Sequence, residues 1–213
     1  MDSTMIAPPA SASAGNGTHV GISVPDLGVK TFSLRLVGKT PLIAHAFGRS
    51  AMAAMEASQQ KTGRTSKPAR DPIADFNDAR YVRADGRDGF PINGIAKSIV
   101  AAVIRNMDGV KGTEARAAFS LSHPEMDEDG LVPLDAEEPE MRADRVKVGM
   151  THSIAYRPMY RTWALDVDVT LYTPTMSAEQ FFVAAKLAGD FTGIGDWRPE
   201  KSGTFGRFDV VLA

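Results

Sequence analysis

The sequence predicts a mixed α+β fold, a two-layer plait in which helices cover one face of a sheet, and three stretches carry that expectation. TWALDVDVTLY, residues 162–172, alternates: Trp163, Leu165, Val167, Val169 and Leu171 point one way and Ala164, Asp166, Asp168 and Thr170 the other. A period of two marks a strand with one buried face. NGIAKSIVAAVIRNM, 93–107, has a helical period instead, with Ile95, Ile99, Val100, Val103 and Met107 on one arc and Lys97, Ser98 and Arg105 roughly opposite. In SAEQFFVAAKLAG, 177–189, Ser177 and Gln180 have the spacing of a capping box and Gly189 the place of a stop. Half-apolar sheets and amphipathic helices bury their apolar sides against each other in two layers.

The remaining elements follow in chain order. Residues 1–28 are rich in Ala, Ser, Pro and Gly, which predicts a disordered N-terminal arm, and they lack the basic-then-apolar order of a secretory signal. TFSLRLVG places Phe32, Leu34 and Leu36 on one face of a first strand and Ser33 and Arg35 on the other, and LIAHAF either continues that strand or bends away. SAMAAMEASQQKTGRTSKPAR, 50–70, opens with helix formers and closes in Gly, Thr, Ser, Lys and Pro. Residues 71–81 mix short helical potential with a strand-like end, ADGRDG is a turn, and Asn93 after Pro91 is placed to cap the next helix. AAFSL and GLVPL read as short strands around an acidic turn, RVKVG as another, and THSIAYRPMYR as a link. Phe208, Val210 and Leu212 alternate in a last strand. The expected organisation is a single domain over 29–213.

A chain of 213 residues can bury one substantial core. No apolar run approaches the roughly 20 residues of a membrane helix, so a soluble, cytoplasmic protein with no membrane partner is expected. The absence of cysteine excludes disulfides and thiolate metal sites. The net charge of -2 conceals a polarity: Arg49 to Arg70 holds five bases and the single acid Glu56, whereas Glu125 to Asp144 holds nine acids and the single base Arg142. Such asymmetry suits a polyanion on one side and a stacked subunit on the other, or two ordinary solvated loops.

Catalytic patterns are sparse. There is no G-x-S-x-G elbow and no Walker ending, and His45, His123 and His152 are too scattered for a metal motif. Asp166 and Asp168 have no histidine beside them, and MDEDG lacks the calcium-loop spacing, so no metal and no cofactor are expected. His45 and His152 are the only candidates for proton transfer. GIGDWRPEKSGTFGRF, 193–208, combines Gly193, Gly195, Gly203 and Gly206, which permit close backbone approach, with Arg198, Lys201 and Arg207, which can meet phosphates. Trp197 and Phe205 could stack on bases or anchor the loop to the core, so a ligand loop and a structural turn both stand.

GFPINGIAKSIVAAVIR, 89–105, resembles the IPGSSLKGALR start of the first helix in the RAMP superfamily, the ferredoxin-like RNA-binding subunits of CRISPR effector complexes, and Gly193–Phe208 resembles their C-terminal glycine-rich loop. Lys97 matches the helix lysine and Arg105 lies near the arginine position, while Asn93-Gly94 stands where Gly-Ser-Ser is usual. TPLIAHAF, GFPINGIAK, the acidic run ending in MRADRVKVG, and GIGDWRPEKSGTFGRF together resemble a group of tailed-phage and prophage proteins. The resemblance implies a ferredoxin-like (RRM-like, RAMP-like) plait with insertions at about 50–70 and 115–161, and sequence-tolerant, non-catalytic binding of single-stranded RNA or DNA in the bacterial host cytoplasm. It also implies self-association as a filament or ring and contact with other phage- or CRISPR-like subunits. The expected contact residues are Arg35, His45, Lys61, Arg64, Lys67, Arg70, Lys97, Arg105, Gly193, Gly195, Trp197, Arg198, Lys201, Gly203, Phe205 and Arg207. A phage assembly or adaptor protein working through protein contacts, and a metal-independent endoribonuclease using His45 or His152, are the alternatives.

Overall fold

In a computed structural model of the chain, the described residues are 26–60 and 70–213. Most of the expected N-terminal arm, and Lys61, Arg64 and Lys67, lie outside them. The elements are β1 (Val29–Gly38), β2 (Leu42–Ile43), α1 (Arg49–Gln59), α2 (Pro72–Asp78), β3 (Gly89–Pro91), α3 (Ile92–Asn106), α4 (Gly112–Ala118), β4 (Phe119–Ser122), β5 (Leu131–Pro133), β6 (Asp135–Ala136), β7 (Glu140–Val148), β8 (Thr151–Tyr160), β9 (Trp163–Tyr172), α5 (Ala178–Leu187) and β10 (Phe208–Leu212). The fold is mixed α+β with several antiparallel sheets.

The central sheet runs β10-β1-β9-β4, every neighbour antiparallel, with β6 also paired to β9. Its apolar face, Leu34, Leu36, Leu165, Val167, Val169 and Leu171, forms one core with Ile95, Ile99 and Val103 of α3 and Phe181, Ala184 and Ala185 of α5. The period-2 and period-3.6 patterns meet because each element has only one face that gains by leaving water. The opposite face is polar: Ser33 donates to Asp168 at 2.5 Å, and the Arg35 guanidinium reaches Asp166 at 2.6 Å and also Asp135.

Several local expectations change once the chain is folded. LIAHAF bends away, since β2 pairs with the end of β8 through Leu42 with Tyr160 and Ile43 with Met159. THSIAYRPMYR is not a link but the long strand β8. It forms a hairpin with β7, which is longer than RVKVG alone, and Gly149 takes the left-handed φ of 60° that the tight turn needs. Asn93 does not cap α3. The helix starts at Ile92 behind Pro91 with no side-chain cap, so Asn93 already lies inside the first turn; the Ile92 amide donates to the Gly130 carbonyl at 3.0 Å where β3 meets β5. The box formed by Ser177 and Gln180 is present, yet Gly189 is no stop: a π turn over Ala188–Thr192 follows α5 and ends at Gly193, φ 70°. At Gly189 the Phe208 carbonyl occupies the space a Cβ would need, so glycine is there for close approach to β10. Among the described residues no helix is long and apolar enough to cross a membrane.

Candidate nucleic-acid interface

The glycine-rich segment is tied down along its length. Gly193 N–H donates to Ala188 O at 2.7 Å, Ile194 N–H to Gly206 O at 2.9 Å, Asp196 N–H to Ile43 O at 2.8 Å, Phe205 N–H to Trp197 O at 3.1 Å and Gly206 N–H to Pro41 O at 2.8 Å. These bonds force the backbone into the left-handed region at Gly193, Gly195 and Gly206, and also at Trp197 (φ 54°) and Ser202 (φ 60°). Gly203 passes so close under the Trp197 carbonyl that a Cβ has no room. The segment is thus a rigid turn, and this rigidity is what lets it wall a cleft.

That cleft, about 430 Å³, lies between the start of α3 and the loop. It brings together five of the expected contact residues, His45, Lys97, Gly193, Gly195 and Arg198, and adds Tyr81, Gly94, Ser98, Asp196 and Glu200. Ser98, expected opposite the apolar arc of its helix, is instead buried and donates to Gly193 O at 2.9 Å, because the loop covers that side of α3. Lys97 lines the cleft and has no hydrogen-bond or ion-pair partner among the described residues.

The other charges of the cleft are paired. Asp196 lies 3.2 Å from His45 Nδ1 and 3.2 Å from Arg157 Nε; burial pushes its carboxyl up, but the His45 hydrogen bond and the charges of Arg157, His45 and Arg198 outweigh this and hold it below the usual carboxylate range. Glu200 accepts from Arg198 Nε at 2.9 Å and Nη2 at 2.7 Å and from Arg105 Nη2 at 2.7 Å. Its carboxyl too is held low, burial being outweighed by the two guanidinium groups. The phenol of Tyr81, which donates to His45 O at 3.0 Å, is raised by burial.

The remaining expected residues stand apart from the cleft. Arg35 is committed to the polar face of the sheet. Arg70 pairs with Asp75 at 2.7 Å and bonds Ser153. Arg207 pairs with Asp190 at 2.9 Å, which Lys39 also meets at 3.0 Å. The Phe205 ring lies 4.8 Å beneath the Arg142 guanidinium, so one face of that ring is covered. Trp197 is 41% exposed, and Lys201 is exposed at the end of a single-turn helix over Pro199–Lys201. His152 lies opposite Lys147 on the hairpin, lining a separate cavity with Arg70, Arg145 and Tyr156. Sequence reasoning weighed the cations of the loop and passed over its acids; Asp196 and Glu200 were visible in GDWRPEK, spaced among the bases they now neutralise. Tyr81 and Arg157 had no sequence signal.

Among the described residues no group of three or more histidine, aspartate or glutamate side chains could hold a metal ion. No protein-family model matches the chain. No curated protein matches it. Among solved structures it shows a weak likeness to Cmr6 from Pyrococcus furiosus, with a TM-score of 0.37 at 10% identity over 88% of this chain and 100% of that one.

Proposed function

We propose that the protein binds single-stranded nucleic acid, RNA or DNA, without catalysis and with little sequence preference, in the cleft between α3 and the glycine-rich loop. The observation that carries this reading is Lys97, a cation without a partner among the described residues, in the cleft where the start of α3, which has no side-chain cap, faces the backbone of Gly193 and Gly195. Helix amides and an ammonium both favour a phosphate, and glycine lets a sugar-phosphate backbone come close. Trp197, exposed at the rim, supplies a face for a base. The polar face of the central sheet is the poorer candidate, since Asp135, Asp166 and Asp168 cluster there around the single Arg35.

The strand order β10-β1-β9-β4, with α3 and α5 as the two crossovers, supports reading the core as one ferredoxin-like, RRM-like plait with the hairpin β7–β8 as an insertion. The acidic stretch Glu125–Asp144 is the proposed contact with a second copy in a filament or ring, in a protein of tailed-phage origin as its motifs suggest. A salt titration with short labelled single-stranded DNA and RNA tests the binding: affinity should be highest at low salt and fall steeply as salt rises. No binding at low salt by folded protein overturns the proposal.

One observation favours a second reading, metal-independent RNA cleavage. His45 is oriented through Nδ1 by Asp196 within the same cleft, as a general base is held by a carboxylate. Site-specific cutting of labelled RNA in EDTA that disappears on His45→Ala would support it, and intact RNA would end it.

A further inference from the structure

We propose that Glu200 is a built-in competitor for the strand, a carboxylate that holds Arg198 of the cleft and Arg105 behind it in place of a phosphate and must give way before they can engage one. The inference rests on the single-strand reading above and adds how that site is regulated. Glu200 lines the cleft and is mostly buried, with a side-chain exposure of 18%. Its two oxygens accept three charge-assisted bonds, two from Arg198 and one from Arg105. Arg198 places Nε and Nη2 on Oε2 and Arg105 places Nη2 on Oε1, so each oxygen meets its own guanidinium, as two oxygens of one phosphate can.

The two arginines come from different elements, Arg105 from the last turn of α3 and Arg198 from the loop, and among the described residues no other acid forms an ion pair with them. Glu200 itself sits on the single turn Pro199–Lys201, whose Ser202 end is left-handed, and not within a long helix or strand. A side chain there can swing out without breaking a ladder. Lys97 lies eight residues before Arg105 on α3, about 12 Å along the axis. Lys97 is therefore available for first capture, and Arg105 and Arg198 form a second position further along that opens only when Glu200 leaves.

A competitor and a simple positioning group differ in the sign of their effect. If Glu200 competes, Glu200→Gln releases both guanidinium groups to the ligand. Binding of a labelled oligo-dT or oligo-U of about twelve nucleotides should then tighten about tenfold. The slope of log affinity against log salt should steepen by about 1.4, two added phosphate contacts on a single strand. If Glu200 merely positions the arginines, Glu200→Gln binds more weakly and the slope does not rise, which overturns the proposal. Glu200→Asp, one methylene shorter, is the second variant should the amide fail to fold, and tighter binding in smaller measure is expected. Lys97→Ala separates the two levels of argument. Wild-type binding that depends on Lys97 but is unimproved by either Glu200 variant removes the competitor and leaves the binding reading standing; no binding by any variant at low salt removes both.

Discussion

Ser98 Oγ and the Gly193 carbonyl meet at 2.9 Å across 95 residues of sequence, and this buried bond joins the Lys97-bearing helix to the glycine-rich loop. Ser98→Ala removes the donor and leaves the carbonyl unsatisfied by it, a cost of about 1–2 kcal/mol. A denaturant melt should show that loss, and proteolysis should cut the loop faster than in the wild type.

The two tryptophans should behave oppositely. Trp163 is buried, packs against Gly38 and donates Nε1–H to Thr40 O at 2.8 Å, whereas Trp197 is exposed at the rim of the loop. Trp163→Ala should destabilise by about 3–5 kcal/mol. Trp197→Ala should leave the thermal midpoint within a few degrees and weaken single-strand binding, which paired melts and binding curves would check.

Gly206 is held at φ 65° with the Ile194 carbonyl in the space a Cβ would fill. Gly206→Ala combines left-handed strain with a backbone clash and should cost more than about 2 kcal/mol. A soluble, fully stable alanine variant would mean that the loop is not built this way.

Asp190 accepts from Lys39 and Arg207, and those bonds hold its carboxyl below the ordinary range. A lowered carboxyl stabilises the fold above its unfolded value of about 4, and that contribution is lost as pH falls further. Asp196 and Glu200 act in the same sense. Stability should thus decline below about pH 4, and the decline should be shallower in Asp190→Asn, measured as urea midpoint against pH.

Lys97→Ala should leave the fold intact, weaken binding to unrelated sequences alike, and reduce the salt slope by about 0.7, one phosphate contact on a single strand. A loss confined to one sequence would point to base reading instead.

What the sequence determined by itself was local. The alternation of Trp163–Leu171, the arc Ile95–Ile99–Val103 and the Ser177–Gln180 box specify their elements without outside help, since each depends on residues within two turns or a few pleats. The pattern also marked Lys97 and the glycines of 193–206. It misjudged THSIAYRPMYR, whose strand exists only because β7 lies beside it, and Asn93, which lies inside a helix that the β3–β5 pairing starts at Ile92. Above all, only the tertiary structure decided which charges are available. Arg35, Arg105, Arg198 and Arg207 look alike as ligands in the sequence, yet folding brings Asp166, Glu200 and Asp190 within reach of them and leaves Lys97 unpaired among the described residues. Hydrophobic periodicity is a property of neighbours along the chain, whereas neutralisation of a charge depends on distance in space, between residues that in these pairs lie up to 131 positions apart.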